Sequence, residues 1–435
     1  MIPGTGGGGS AQASIIVQNS DGTSPVQYLT LSAAAANITN GQVCVVTGTW
    51  TMAATFNAAN ITIRGGNGAS PNPGSPTLPD QLTGAITADG KGCLVLNGAS
   101  NTVKNLGIIG AVSSLNINGD TATAAIRYAG NTLTITQCAF VGNTNGVLGD
   151  NFGNGNLTMT GCYLSANGDG GGATHNVYVG MGTNLFTFQN GWSLSCVGGY
   201  QIKTRAVQTT ITGSYLASLG ENPSAEPIDA SYGGVVNVSH CVLEAGPGTG
   251  VPSNFVRIAF NENPTGNFST ANANIASLGG IDGAGEDVLY FNARIGAVIT
   301  DSKGGAASGA TVVSASGTTA VMSANGASTQ TASYIFLGTQ STTFDTCIFI
   351  NDTTSDGTTP EAAGLFNTNS LQTCNVSNST LVANGNLGTP NQGPINLKTG
   401  GSGTVTGTTN TTKTGRSDAG YAAYNGLFNC LPALP

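Results

Sequence analysis

Charged side chains are scarce in this chain, and several of them fall at matching positions of a repeated strand pattern. The 435 residues include 12 Lys and Arg, 20 Asp and Glu and 2 His. Successive side chains of a strand point to opposite faces of its sheet, so the residue after each inward Val or Ile is expected to point outward. One outward face then gathers cations, an acid, an aromatic ring and amides. Its predicted members are Asn176, Tyr178, Gln201, Lys203, Arg205, Asp229 and Arg257.

This combination of side chains is suited to binding a carbohydrate. Lys and Arg donate hydrogen bonds to carboxylates and hydroxyls, and a tyrosine ring packs on the face of a sugar. The sequence therefore predicts a shallow groove for an extended glycan that is acidic or rich in hydroxyls. Two alternatives stay open at this stage. One is an ion-pair stack of Lys203, Asp229 and Arg257 that joins neighbouring turns of the fold, and the other is a face buried against another subunit.

The same face contains weak candidates for catalysis. A lyase needs a base and a group that neutralises charge, which Lys203, Arg205, Tyr178 and His175 could supply, and Asp229 is a further catalytic candidate as the carboxylate of this face. Hydrolysis of a glycosidic bond usually needs two opposed carboxylates, and no DD, DxD or ExxE cluster occurs. His175 is more simply interpreted as a turn residue that bonds to backbone, and His240 as a surface residue. Whether the chain is an enzyme stays open.

A six-residue repeat accounts for several of the cysteines. It has the form apolar, polar, polar, small, any, apolar, as in ITQCAF (135–140), MTGCYL (159–164), ITGSYL (211–216) and VSHCVL (238–243). We expect the small position to point inward, so that its Cys and Ser residues are buried fillers rather than disulfide partners. No CxxC occurs and the two His lie far apart, so no metal or other cofactor is expected.

A second strand recurs with the same residue spacing as the first. Short β-rich runs that are separated by Gly, Asn and Asp and repeat every roughly 25 residues are typical of a solenoid. The two rows together predict an all-β chain folded as a single right-handed parallel β-helix, with coils about 4.8 Å apart. The inward row of the second strand is predicted to be Ile126, Val147, Val177, Ile202, Ile228 and Val256.

The ends of the chain differ from this repeat. Residues 1–60 are expected to form an N-terminal cap and attachment segment, 61–383 the parallel β-helix, and 384–435 a Gly- and Thr-rich C-terminal cap or oligomerisation tail. Within the β-helix, 67–90 and 263–285 have the composition of loops.

Composition argues against two classes of partner. The formal net charge is −8, and so few basic residues do not favour nucleic acid. No run of 18 apolar residues occurs, so membrane insertion is not expected. The first residues, MIPGTGGGGSAQAS, have neither the basic nor the apolar region of a secretory leader, and we expect this Gly-rich start to be held by a partner surface.

Three segments resemble a known group of proteins. They are THNVYVG (174–180), YQIKTRA (200–206) and EPIDASYGG (226–234), and they are similar to bacterial and phage parallel β-helix proteins of the pectate-lyase-like superfamily. The resemblance covers roughly residues 120–260 and is specific for the fold rather than for a reaction. It implies contact with carbohydrate, as in lyases, hydrolases, epimerases and phage tailspikes. A His often stands in this family where Tyr200 stands here, which argues against His-based chemistry.

Three functions are consistent with these features. The first is a virion surface structural protein, such as a tailspike, fibre or capsid decoration, that binds host-surface glycans through one face of the β-helix. Such a protein is expected to be a homotrimer and to contact other virion proteins through its N-terminal segment. The second is a secreted polysaccharide lyase or epimerase, and the third is a non-enzymatic adhesin or surface structural protein. The expected location is the virion surface, with an extracellular one as the alternative.

Overall fold

The described part of the chain consists almost entirely of β-strands. The computed structural model describes residues 13–71, 76–113, 123–129, 131–150, 155–170, 172–180, 182–218, 226–231, 234–245, 254–258, 266–277, 299–301, 307–316, 319–332, 335–337, 341–351, 363–368, 373–383, 395–400, 404–408 and 411–413.

Most strands stack into three sheets, here called A, B and C, and the chain passes through them in that order once per coil. Sheet A contains Val26–Tyr28, Ser14–Asn19, Gln42–Thr47, Thr62–Gly65, Asn101–Lys104, Leu133–Thr136, Gly155–Thr160, Thr183–Gln189, Gln208–Thr212, Val235–Ser239, Ser341–Asp345, Thr373–Ser377 and Thr404–Thr408. Sheet B contains Thr49–Trp50, Gln81–Thr83, Gly107–Ile109, Ala139–Val141, Tyr163–Ser165, Trp192–Leu194, Tyr215–Ser218, Val242–Ala245, Ile348–Asn351, Thr380–Ala383 and Thr411–Lys413. Sheet C contains Ala54–Phe56, Gly92–Leu96, Ala124–Tyr128, Val147–Gly149, Val177–Val179, Ile202–Thr204, Ile228–Ala230, Asn254–Ile258, Ala363–Thr368 and Ile395–Gly400. The predicted parallel β-helix is therefore confirmed.

A small cap closes the first coil. The strand Ser14–Asn19 pairs antiparallel with Val26–Tyr28 and with Gln42–Thr47, where the parallel stack begins. The helix α1 (Leu31–Asn37) starts at Thr30, whose side chain accepts a hydrogen bond from the Ala33 amide, and it buries Leu31 against the core. The cap thus covers apolar side chains that would otherwise face water at the end of the solenoid.

The inward row predicted for sheet C is confirmed residue by residue. Its members are register partners on adjacent strands, and all are fully buried: Ile126, Val147, Val177, Ile202, Ile228 and Val256. One uninterrupted register fixes which side chains lie on the opposite face of the same strands.

The cysteine row is also confirmed. All eight described cysteines are free and buried, and those of the repeat precede register-matched strands of sheet B. The Sγ of Cys162 lies 3.6 Å from the carbonyl oxygens of Thr160 and of Ile135 in the preceding coil. Burial raises the pKa of Cys162 and Cys241 to about 12, so these thiols are packing groups rather than nucleophiles.

The two segments with loop composition contain strands, so the loop prediction was wrong for those positions. Gln81–Thr83 belongs to sheet B, where its Leu82 side chain is buried. Gly266–Phe268 and Asn274–Ser277 belong to a separate antiparallel sheet, inserted between the coil strands Asn254–Ile258 and Ser341–Asp345. The other strands of that sheet are Val312–Ser316, Thr319–Met322 and Gln330–Ala332, and a two-stranded pair is formed by Ile299–Asp301 and Ile335–Leu337. Parallel stacking also extends on both sides of the predicted 61–383 segment, from Gln42–Thr47 to Thr411–Lys413.

Candidate functional site

The outer face of sheet C carries the predicted row of chemically active residues. Arg127, Leu148, Tyr178, Lys203, Asp229 and Arg257 are successive register partners on six strands. Each follows a buried inward residue, so strand alternation places this row outside the core. The side chain of Arg257 lies outside the described part of the structure. At the first coil of the row, the guanidinium of Arg127 forms an ion pair with Asp150, with Nε 2.9 Å from Oδ1.

Three charged residues of this face are buried within the chain itself, which differs from the expected shallow groove, whereas the Arg127 side chain is 21% exposed. Lys203 is 8% exposed, Arg205 is 1% exposed and Asp229 is fully buried. Glu226, at 8% exposure, lies three residues before Asp229 in the same coil. Buried charges are stable only when opposite charges or hydrogen bonds compensate them. Two cations and two carboxylates balance in formal charge, and Ser231 Oγ donates a hydrogen bond of 2.9 Å to Asp229 Oδ2.

Aromatic rings provide part of the accessible surface of this face. His175 stacks on two half-buried tyrosines, at 5.6 Å from the Tyr178 centroid and 5.2 Å from that of Tyr200. The interplanar angles are 17° and 18°, so the three rings are nearly parallel. We call Tyr178, His175 and Tyr200 the aromatic stack. Because each tyrosine retains exposure while the histidine has almost none, a ligand would meet the tyrosines first.

Two cations lie against the aromatic stack. Lys203 Nζ lies 5.7 Å from the Tyr178 centroid and 5.8 Å from that of Tyr200, and Arg205 Cζ lies 5.0 Å from Tyr178. These distances are within the range of cation–π attraction. The ammonium therefore lies almost equidistant from the two rings, where a carboxylate or hydroxyl of a ligand seated on them would meet it.

His175 takes the turn role expected for it. Its Nδ1 accepts a hydrogen bond of 3.0 Å from the Tyr200 amide, and its own amide donates one of 2.8 Å to Asn145 Oδ1. A neutral imidazole that accepts at Nδ1 carries its proton on Nε2. The ring is thus fixed by its neighbouring coils, and it stacks on both Tyr178 and Tyr200.

Asn176 and Gln201 do not lie on the outer face of sheet C, so their predicted orientation was wrong. Asn176 Nδ2 lies 3.0 Å from the Leu194 carbonyl and 2.8 Å from Gln201 Oε1, and both amides are fully buried. Asn167 Nδ2 donates to Asn176 Oδ1 at 2.8 Å, which extends the contact into a ladder of amides. Both residues precede their strands, which begin at Val177 and Ile202, and the side-chain alternation of a strand does not hold in the turn before it.

Tyr200 and Glu226 were not among the predicted site residues. They occupy the same place in successive coils as His175, two residues before the inward Val or Ile of the strand. The sequence alone contains this third row of matching positions, beside the inward and outward rows that the strands define. The structure therefore groups His175, Tyr200 and Glu226 beside Tyr178, Lys203 and Asp229.

Metal binding and membrane crossing find no support in the described residues. There, no group of three or more His, Cys, Asp or Glu side chains could hold a metal ion. No helix of that part is long and apolar enough to span a bilayer.

Comparisons with known proteins add little about this face. No protein-family model matches the chain, and no curated protein matches it. Among solved structures, ORF18 of Geobacillus virus E2 is similar, with a TM-score of 0.37 and 10% sequence identity over 88% of this chain. The match covers 58% of the length of that phage protein.

Proposed function

We propose that this chain is a structural protein of a virion surface that binds glycans of the host through the outer face of sheet C. The observation that supports it is the aromatic stack with Lys203 Nζ lying between its two half-exposed tyrosines. Tyrosine combines an apolar ring with a polar hydroxyl, a combination that suits a sugar, which has apolar C–H faces and hydroxyl edges. The glycan class that fits is one with hydroxyl or carboxylate groups within reach of an ammonium.

Fixed rings favour binding because little freedom is lost when a ligand arrives. His175 stacks on both tyrosines, and its backbone and ring bonds anchor it to the neighbouring coils. A preorganised surface gives up less conformational entropy on binding than a mobile one. The two cations lie against these rings at distances of cation–π attraction, which helps to fix the rings in place.

The proposed virion location is supported by the resemblance of residues 120–260 to phage and bacterial β-helix proteins. The solenoid fold also supports it, because a solenoid lengthens by adding coils and its core does not become wider. We further propose a homotrimer that contacts other virion proteins through residues 1–60. Antibodies against the purified protein should label intact particles of the phage that encodes it. Labelling confined to secreted material would instead favour the extracellular alternatives.

Glycan binding is tested by replacing the exposed rings. Tyr178→Ala and Tyr200→Ala should each weaken binding to the best glycan of an array by about tenfold, which corresponds to about 1.4 kcal/mol. The matched control is Tyr28→Ala, since Tyr28 is also half-buried but lies in the N-terminal cap. Circular dichroism and thermal unfolding establish that each variant is folded. Equal binding by all three variants and the parent, or no binding across the array, would contradict the proposal.

A polysaccharide lyase is the second candidate, and the grouping of Lys203 and Arg205 with Tyr178 favours it specifically. In such a reaction the cations would neutralise a uronate carboxylate while a base removes the proton from the adjacent carbon, and the glycosidic C–O bond at the next carbon breaks as the leaving oxygen takes up a proton. Incubation with a panel of acidic polysaccharides should then raise the absorbance of unsaturated uronates. Glycan binding with no rise in this absorbance and no change in polymer length would exclude the lyase and leave the non-catalytic glycan-binding function.

A further inference from the structure

The outer face of sheet A bears a regular two-column array of threonines. Strand alternation points Leu133 and Ile135 into the core, where both are buried, and Thr134 and Thr136 outward. The next three strands repeat the pattern in register without a shift at these positions. We call the following set the threonine array: Thr134 and Thr136, Thr158 and Thr160, Thr187 with Gln189, and Thr210 and Thr212.

The spacing of this array is fixed in two directions by the strands. Adjacent strands lie about 4.8 Å apart, and alternate residues along one strand about 6.6 Å apart. All eight side chains are partly exposed, and no charged or aromatic residue occupies the two columns in these four strands. The charges that share these columns lie outside the array, with Arg64 and Lys104 before it and Asp345 after it.

The hydroxyls of the array are held in place and are available to a ligand. Threonine is branched at Cβ, so its χ1 angle is restricted and little entropy is lost when its hydroxyl is bound. Thr212 Oγ1 lies 3.4 Å from Ser239 Oγ, at the edge of the array. The other threonine hydroxyls of the array have no hydrogen-bond partner within the described part of the chain.

We propose that the threonine array binds ice. A ligand that uses every row must itself repeat in two dimensions with spacings close to those of the strands, and a flexible soluble polymer repeats along one direction. Ice presents fixed rows of oxygen atoms with repeats of similar size, to which the hydroxyls donate and from which they accept. The threonine methyl groups fill the spaces between those oxygens. The array has no aromatic platform of the kind that the outer face of sheet C offers to sugars, so the two faces bind different ligands.

The proposal is tested with the full chain by slow freezing of a dilute solution and by observing single ice crystals near their melting point. The parent protein should be enriched in the ice fraction and should change the shape and growth of the crystals. Thr158→Lys, at the centre of the array, should lose most of this enrichment because a long charged side chain breaks the lattice match. Thr158→Ser keeps the hydroxyl and removes the methyl, and should lose part of it.

The matched control is Thr55→Lys, since Thr55 is an equally half-exposed strand residue but belongs to sheet C. It should partition into ice like the parent. Circular dichroism and unfolding temperature are measured for each variant, so a loss of fold is distinguished from a loss of binding. Exclusion of the parent protein from ice, equal partition of the Thr158→Lys variant, or equal loss in the Thr55→Lys variant would each overturn the proposal. Adsorption to crystalline cellulose or chitin without adsorption to ice would also overturn it.

Discussion

The buried charges on the outer face of sheet C allow a quantitative prediction about the free energy of unfolding. Lys203 and Asp229 are register partners on adjacent strands, and they are 8% and 0% exposed. We consider Lys203→Met and Asp229→Asn, separately and together. Each single change leaves an opposite charge buried without its neighbour, whereas the double change removes both charges.

The expected size follows from burial. Removing one partner of a buried charge pair typically costs about 3–5 kcal/mol in the free energy of unfolding, because the remaining charge stays out of water. The double variant should cost about as much as one single change or less, so that the coupling free energy is about 3 kcal/mol. The same chain offers a surface control in Lys91 and Asp89, 3.5 Å apart with side chains 47% and 49% exposed. For that pair the coupling should be below about 1 kcal/mol.

The assay is equilibrium unfolding in urea, followed by circular dichroism and by the fluorescence of Trp50 and Trp192. Coincident transitions by both probes justify a two-state free energy. Additive effects of Lys203→Met and Asp229→Asn, within about 0.5 kcal/mol, would refute the coupled arrangement of these charges. A surface pair that couples as strongly as the buried one would refute the argument from burial.

Three further predictions concern other parts of the β-helix. Asn176→Ala should lower the free energy of unfolding by about 3 kcal/mol in urea titrations, because it leaves buried amide and carbonyl groups without partners. An effect below about 1 kcal/mol would contradict a stabilising role for the ladder of amides. In the native protein at pH 8 the eight described thiols should not react with a disulfide reagent, since burial raises the pKa of groups such as Cys162 to about 12, and they should react after unfolding. Hydrogen bonds from Ser377 and Asn378 lower the pKa of Asp345, so this carboxylate stabilises the fold at neutral pH and the contribution is lost as the pH falls below about 4. Asp345→Asn should therefore flatten the acid limb of a stability–pH curve, and an unchanged limb would exclude a role for Asp345.

The inward rows could be predicted from sequence because the solenoid repeats one local rule. Ile126 and Val147 are partners for the same reason as Val177 and Ile202: each coil adds a strand in register with the last. A shift by one residue would turn a buried row outward, so the apolar pattern determines the register strongly.

The turns could not be predicted by the same rule. Asn176 lies next to the inward Val177, and alternation would place its side chain outside, yet it is buried with Gln201 in a hydrogen-bonded ladder. The backbone changes direction there, and the need to satisfy buried carbonyls such as that of Leu194 decides where the amide points. Tyr200 lies in the aromatic stack for a related reason, since it occupies the turn position that His175 occupies in the preceding coil, and its amide donates to His175 Nδ1.

Burial of the cations decides how a glycan would contact sheet C. The outward orientation of Lys203 and Arg205 was predicted from the alternation of side chains along a strand, and that orientation is correct. Alternation does not show which side chains cover a face. With both cations below 10% exposure, a ligand contacts Tyr178 and Tyr200, and the cations act from behind or between the rings. Selectivity between glycans would then come from the spacing of the two tyrosines and the single ammonium between them.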